Sequence, residues 1–310
     1  MYKNFVSYGF DSYINFFQNY YYNFKKSFYL KKSALFVNLD DKSKHNVEFF
    51  LNLILSLPLP SKDFLIKKDK LQDTRYSKEE KLEKDFLKNI SMYYDKYNLI
   101  GEEKLEINVF KYHCGLKFLP THIQNKIKNT IFIDAGAFWG DSSLIFLKYL
   151  PNKIISFEPN SHNYQLLCNT IINNNLQDIC ISENVGLFYK NAYKKMNYIS
   201  NKQNHGASLI FKPYKAKVED VKLIALDNYS NTKNIGFIKV DAEGMGLQVL
   251  YGAKNIIKQY KPVISCAIYH HPIELFHIKL YLEKLNPSYT FKIVNLNNNF
   301  ILKELTLLAY

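Results

Sequence analysis

The chain has 310 residues, 47% of them hydrophobic, and a formal net charge of +13, so it can bury a sizeable core and suits one large domain or one plus a smaller one. Its four cysteines, Cys114, Cys168, Cys180 and Cys266, are far apart with no Cys-x-x-Cys pair, which excludes a disulfide framework or a zinc-site rhythm and leaves buried thiols in a reducing cytoplasm. The most apolar stretch, Leu51 to Pro60, is too short and too broken by proline to cross a bilayer, and no secretory signal opens the chain, so a soluble cytoplasmic protein is expected.

In chain order, Phe5 to Tyr29 comes first, crowded with aromatics among Asn, Gln, Ser and Lys. Its polar face is rich in Asn and Tyr rather than Lys, which fits a helix-packing core better than a peripheral membrane contact. Lys42 to Leu57 has the spacing of an amphipathic helix that Pro58 and Pro60 stop. Ser77-Lys-Glu-Glu80 is a capping box that opens a charged helix to about Tyr97, and Lys104 to Phe110 reads as a short strand before a join near Pro120. Residues 1–115 are therefore expected to form a mostly helical region, and residues 116–310 a second unit of different character.

That second unit alternates. Ile131 to Asp134 reads as a strand, Asp141 to Leu150 as a helix, Lys153 to Phe157 as a strand, Ser161 to Asn173 as a helix and Ile179 to Val185 as a third strand. A loop-rich insertion from Gly186 to Val218 carries Lys190, Lys194, Lys195, Lys202, Lys212, Lys215 and Lys217. Alternation resumes with the strand Ile235 to Val240, the helix Met245 to Gln259, the strand Pro262 to Ile268 and the helix Pro272 to Leu285. Two strands, Phe291 to Val294 and Leu305 to Tyr310, close the chain as an antiparallel pair. The order predicts an α/β fold whose parallel sheet ends in one antiparallel strand, the Rossmann-like architecture of class I methyltransferases.

The chemistry is expected where strands give way to helices. In Ile131-Phe-Ile-Asp-Ala-Gly-Ala-Phe-Trp-Gly-Asp-Ser-Ser143, Gly136 and Gly140 allow a tight turn and a close approach to a ligand, and Asp134 sits at the strand's carboxyl end. Glu158, in Ser-Phe-Glu-Pro-Asn160, ends the second strand, where a carboxylate accepts hydrogen bonds from a ribose diol. A pyrophosphate site would want Gly-x-Gly-x-x-Gly, but here Phe138 fills the middle-glycine position, so a phosphate-free adenosine cofactor such as S-adenosylmethionine fits better. Asp134 is expected near its ammonium and sulfonium end, and Asp141 and Asn184 complete the expected cofactor set.

The segment Phe237-Ile-Lys-Val-Asp-Ala-Glu-Gly244 ends a buried strand in two carboxylates, Asp241 and Glu243, that could hold the cofactor, activate a hydroxyl or bind a metal. Alternatively, Glu243 caps the following helix. His270 and His271 end the next strand, where a histidine suits a general base and, before Pro272, suits a helix cap. Asp241, Glu243 and His270 are the expected catalytic residues; they could also take a divalent metal, but no further ligand accompanies them.

From about Gly115 onward the chain resembles the FkbM-type methyltransferases. The resemblance rests on five ordered blocks: Ile133-Asp-Ala-Gly-Ala-Phe-Trp-Gly-Asp-Ser-Ser, Phe157-Glu-Pro-Asn-Ser-His-Asn-Tyr, Leu226-Asp-Asn-Tyr, Phe237-Ile-Lys-Val-Asp-Ala-Glu-Gly with Val249-Leu-Tyr-Gly-Ala, and Lys261-Pro with Ile268-Tyr-His-His-Pro. It implies a seven-stranded class I fold and O-methylation from S-adenosylmethionine, with a sugar or secondary-metabolite hydroxyl as acceptor, and it maps His270 onto the family's Tyr-His position. Two departures are Phe138-Trp139, where an Asn and a small or apolar residue are common, and Met245-Gly246, where a small residue and an acid are usual. The expected partner is a sugar or glycan, anionic if nucleotide- or lipid-linked. A nucleic-acid methyltransferase is the rival suggested by the charge, but amino methylation of bases uses an Asn/Asp-Pro-Pro-aromatic turn where this chain has Asp241-Ala-Glu-Gly. A non-catalytic cofactor-binding scaffold is the other alternative.

Overall fold

The computed structural model describes residues 10–57, 74–99, 105–198, 207–211, 216–230, 233–298 and 302–310. Along the chain the strands are β1 (Ile131–Ala135), β2 (Lys153–Phe157), β3 (Cys180–Glu183), β4 (Gly186–Leu187), β5 (Ala192–Tyr198) and β6 (Ala207–Ser208). They continue with β7 (Lys217–Ile224), β8 (Ile235–Val240), β9 (Val263–Ala267), β10 (Phe291–Asn295) and β11 (Leu305–Ala309). The helices before the first strand are α1 (Phe10–Asn23), α2 (Lys25–Phe36), α3 (Asp41–Ser56), α4 (Thr74–Lys88), α5 (Met92–Lys96), α6 (Ile107–Phe110) and α7 (Thr121–Lys126). Those that follow are α8 (Asp141–Phe146), α9 (Ser161–Asn173), α10 (Gly246–Gly252), α11 (Lys254–Tyr260) and α12 (Pro272–Leu285).

The main sheet has seven strands in the order β10-β11-β9-β8-β1-β2-β3. The pairs β9–β8, β8–β1, β1–β2 and β2–β3 are parallel, whereas β11 runs antiparallel to both β9 and β10. The last strand of the chain is thus inserted inside the sheet rather than added at its edge. Both faces are covered, which is why these strands read as nearly continuous apolar runs. One face, with Ile133, Ile155, Ile238, Ile264 and Leu307, packs against α1, α3, α10, α11 and α12. The other, with Phe132, Ile154, Phe237, Val263 and Leu308, packs against α6, α8 and α9.

Helices α1 to α3 share the first of these cores, through Phe17, Phe28, Leu35, Phe50 and Ile54. Helix α3 also completes the exposed edge of β10. The Ser43 hydroxyl accepts the Ile293 N–H at 2.9 Å, and the Asn46 amide donates to the Ile293 carbonyl at 2.8 Å. Backbone groups that an edge strand would leave to solvent or to another chain are satisfied within the molecule.

The structure departs from the sequence reading in several places. Helix α4 starts at Thr74, so Ser77 lies inside it and opens no capping box. Residues 107–110 form helix α6 rather than a strand, since Ile107, Asn108, Val109 and Phe110 are all buried together and pack against α8. The expected helix from Met245 to Gln259 is broken at Ala253 into α10 and α11. The expected loop-rich insertion instead builds a second sheet, β4-β7-β5-β6, with its own small core of Phe188, Met196, Val221 and Leu223. In it Lys195 stands opposite Asp220 and Lys194 opposite Val221, so the lysines are divided between two faces and mixed with acids. Pro58, Pro60, Lys202, Lys212 and Lys215 lie outside the described residues. Among the described residues no helix is long and apolar enough to cross a membrane.

Candidate active site

Strands β1, β2, β8 and β9 all end on one edge of the sheet, and every sequence-expected site residue except Gly136 to Asp141 and Asn184 stands in or just after one of them. Of these, Gly136 and Gly140 are in the turn after β1, Asp141 is the first residue of α8 and Asn184 is in the turn after β3. The side chains form two clusters on adjacent strands.

The first cluster surrounds the β1–α8 turn. Gly136 and Gly140 have φ of +80° and +87°, the left-handed region in which a Cβ is strained. The space a Cβ would need is taken by protein: the Asp241 carbonyl oxygen lies 1.9 Å from that position at Gly136, and a Leu167 methyl 2.7 Å from it at Gly140. Gly136 therefore lets the turn close onto the end of β8, and Gly140 lets it close onto α9. Phe138, with φ of +50°, contributes its backbone N–H, which donates to Glu158 Oε2 at 2.9 Å. Asn160 N–H donates to the other oxygen, Oε1, also at 2.9 Å. Burial raises Glu158 to about 7, against the opposing pull of these two N–H groups. Trp139, 2% exposed, belongs to the core beneath the turn. At the two positions that depart from the family pattern, Phe138 thus contributes its backbone to the turn and Trp139 its ring to the core.

Asp134 is fully buried and turned inward. Its carboxylate accepts a hydrogen bond from the Ser142 hydroxyl and is paired with Lys239 Nζ at 3.0 Å. The register of β1 against β8 sets Asp134 directly beside Lys239, whose ammonium also donates to the Gly136 carbonyl at 2.8 Å. Burial alone lowers Lys239, but Asp134 and Asp241 outweigh it and hold the lysine well above its usual value. Asp141, at the start of α8, is pushed up to about 8, chiefly by burial. Asn184 donates to the backbone carbonyls of Glu158 and Pro159, at 2.9 and 3.3 Å, and so ties β3 to the turn after β2.

The second cluster joins the ends of β8 and β9. His270 has no exposed side-chain surface; its Nε2 lies 3.6 Å from Asp241 Oδ1 and 3.9 Å from Glu243 Oε2, and its Nδ1 lies 3.5 Å from Glu274 Oε2. Burial lowers the imidazole, but Glu243, Glu274 and Asp241 together overcome this and raise it to about 9. The three carboxylates thus favour the protonated ring. Asp241 and Glu243 remain accessible, with 27% and 38% of their side chains exposed. Asp241 also borders a small crevice of about 20 Å³, shared with Asn108, Lys239, Ser265, Glu304 and Thr306.

The alternatives left open by the sequence are separated here. Glu243 does not cap α10. That role falls to Glu274, whose Oε1 accepts the Gly246 N–H at 2.8 Å. A Cβ at Gly246 would stand 2.9 Å from that oxygen, so the glycine that replaces the family's usual acid makes room for Glu274 beside His270. Of the two histidines, His271 is the helix cap, its Nδ1 accepting the Ile273 N–H at 3.1 Å, and His270 is the residue directed at the carboxylates. Glu243 itself has φ of +48°, an unfavourable conformation for a non-glycine residue, and its carbonyl is held by the Ser208 hydroxyl at 3.2 Å.

Three partners of the site were not identified from sequence. Lys239 was visible as a charged residue inside an apolar strand, which is itself a signal of a buried partner. Glu274, four residues after His270 in the first turn of α12, read only as a helix residue, and Tyr13 carried no local signal because it reaches the cluster from α1, 230 positions from Glu243. Among the described residues, no group of three histidine, cysteine or carboxylate side chains is arranged to hold a metal ion.

The profile described as the methyltransferase FkbM domain matches residues 134–293, which begin at Asp134 and include both clusters. The chain belongs to the FkbM methyltransferase family. Among solved structures, the FkbM methyltransferase from Methylobacillus flagellatus KT is similar over 95% of this chain, with 16% identity and a TM-score of 0.59. This FkbM family chain spans 61% of that protein's length. An O-methyltransferase from Bacillus cereus in complex with SAH aligns with 72% of the chain and 88% of its own, at 12% identity and a TM-score of 0.39. An rRNA methylase from Streptococcus thermophilus aligns with 67% of the chain and 96% of its own, at 11% identity and a TM-score of 0.41. No curated protein matches the chain.

Proposed function

We propose that this FkbM family protein transfers a methyl group from S-adenosylmethionine to a hydroxyl of a carbohydrate, such as a surface glycan or its nucleotide- or lipid-linked precursor. The observation that carries this reading is the pair of partly exposed carboxylates, Asp241 and Glu243, held around a buried His270 one strand away from the glycine turn.

The residues present fit the cofactor. Glu158 closes β2 with both oxygens oriented by backbone N–H groups, which suits a ribose diol. Two buried carboxylate oxygens, Asp141 Oδ2 and Asp241 Oδ1, have no hydrogen-bond donor, and such acceptors suit the cationic amino-acid end. When bound, S-adenosylmethionine supplies an electrophilic methyl group on a sulfonium centre.

The protein's own task is to hold an acceptor oxygen in line and to receive its proton. Sequence reasoning assigns the proton to His270, but a fully buried imidazole whose protonated form is favoured is poorly placed to take it. The geometry favours Glu243, the more exposed carboxylate, as the group that accepts the hydroxyl proton, with Asp241 orienting the same hydroxyl. His270 faces both carboxylates at ion-pair distance without a hydrogen bond to either, and Glu274 faces it from behind. Tyr13, Phe211 and Tyr269, all buried, pack edge-on beside these acids and support the acceptor side of the site.

Calorimetry with S-adenosylmethionine and its demethylated product tests the cofactor assignment; no binding of either would sink it. Labelled-methyl transfer into cell glycan fractions, followed by mass spectrometry of the labelled sugar, tests the acceptor. Label recovered only in RNA or DNA would replace the carbohydrate reading with the nucleic-acid one.

A further inference from the structure

Helix α1 lies outside the matched domain, yet it delivers a side chain into the acid–histidine cluster. Tyr13, only 8% exposed, donates its hydroxyl to Glu243 Oε2, the same oxygen that His270 Nε2 approaches at 3.9 Å. Oε2 is thus engaged from two sides. The other oxygen, Oε1, has no hydrogen-bond donor among the described residues, and the Glu243 side chain remains 38% exposed. We propose that Tyr13 is a positioning residue of the acceptor site, locking one oxygen of Glu243 beside His270 so that the other is presented to the acceptor hydroxyl. The proposal rests on the reading of Glu243 as the acceptor-facing carboxylate.

The Tyr13 hydroxyl is fixed by its surroundings. Its ring stands edge-on to Phe211, His270 and Tyr269, at centroid distances of 4.5, 5.2 and 6.0 Å. One turn further along α1, Phe17 packs edge-on against Phe50 of α3 at 5.2 Å. The adjacent Gln18 amide donates to the carbonyls of Ile54 and Leu57 at 3.0 and 2.7 Å. A hydroxyl held this way orders a carboxylate without losing its own freedom at the moment of reaction. A phenol that merely plugged the site would cover the acids, but Asp241 and Glu243 stay accessible with Tyr13 in place. The groups facing His270 are Asp241 and Glu243 from the turn after β8, Glu274 from α12, Tyr13 from α1 and the neighbouring Tyr269 ring.

The test is an NMR titration of the ring-labelled His270 in the full chain, comparing wild type with Tyr13→Phe, alongside calorimetry with the demethylated cofactor. Loss of the hydroxyl frees Glu243 to swing away from the imidazole. The expected results are a His270 midpoint at lower pH, cofactor affinity within about twofold of wild type, and methyl transfer into the glycan fraction slowed about tenfold. Glu243→Gln should also lower the midpoint, and adding Tyr13→Phe to it should change nothing further. An unmoved His270 midpoint in folded Tyr13→Phe overturns the proposal, and so does faster methyl transfer, which would make Tyr13 a plug. A wild type that binds neither form of the cofactor would overturn the methyl-transfer reading, a result distinct from an unmoved His270.

Discussion

Gly136→Ala and Gly140→Ala look equivalent in the sequence, and the structure predicts that they differ. Both residues have left-handed φ, near +80° and +87°, so an alanine at either costs about 1–2 kcal/mol in backbone strain. At Gly140 the new methyl meets the end of the Leu167 side chain at 2.7 Å, which can rotate away, and the total should stay near 2 kcal/mol. At Gly136 it meets the Asp241 carbonyl oxygen at 1.9 Å and the carbonyl carbon at 2.9 Å, both backbone atoms of the adjacent strand. Clearing them separates the turn from the end of β8, where Asp241 N–H donates to Ala135 O at 2.9 Å. One buried hydrogen bond unmade adds roughly 1–3 kcal/mol and the displaced packing a similar amount, for a total of about 4 kcal/mol or more. Urea unfolding of the two variants measures the difference directly. A Gly136→Ala protein as stable as Gly140→Ala would refute the close approach of the turn to β8. Because that approach also sets the distance between the two clusters, Gly136→Ala should weaken cofactor binding more than Gly140→Ala does.

The remaining predictions concern charge. His270 is raised to about 9 in the folded protein, so its contribution to stability is complete below the usual histidine value of 6.5 and is lost as pH rises through 9. The stability advantage of wild type over His270→Asn should therefore shrink by about 3 kcal/mol between pH 6 and pH 10 in denaturant unfolding, and a pH-independent difference would count against the cluster. Lys239→Met strands the buried Asp134 carboxylate and should cost about 3–5 kcal/mol, with Asp134→Asn added to it restoring most of the loss; a single variant as stable as wild type would show that the pair is not buried together. Glu158→Gln should weaken binding of the demethylated cofactor about tenfold by calorimetry, and unchanged affinity would remove Glu158 from the ribose site.

The alternation of strands and helices from Ile131 to Val185 and from Ile235 to the end was legible in the sequence, apart from the break at Ala253, since buried strands write themselves as apolar runs and the helices between them keep their own spacing. The sequence by itself also determined which residues stand at the carboxyl ends of β1, β2, β8 and β9, and hence that Asp134, Glu158, Asp241, Glu243 and His270 share one edge of the sheet. It did not determine that the insertion after β3 folds into a sheet, because the apolar residues of β5 and β7 are interrupted by Lys194, Lys195, Glu219, Asp220 and Lys222, and the two segments become strands by pairing with each other. Nor did it determine the roles within the acid–histidine cluster. The charge on His270 depends on Glu274, four residues along on α12, and the orientation of Glu243 depends on Tyr13, which is 230 positions away in the chain. Protonation and orientation are set by what surrounds a group in space, through burial and the sum of nearby charges, and only the packing of α1 and α12 against the ends of β8 and β9 brings those surroundings together.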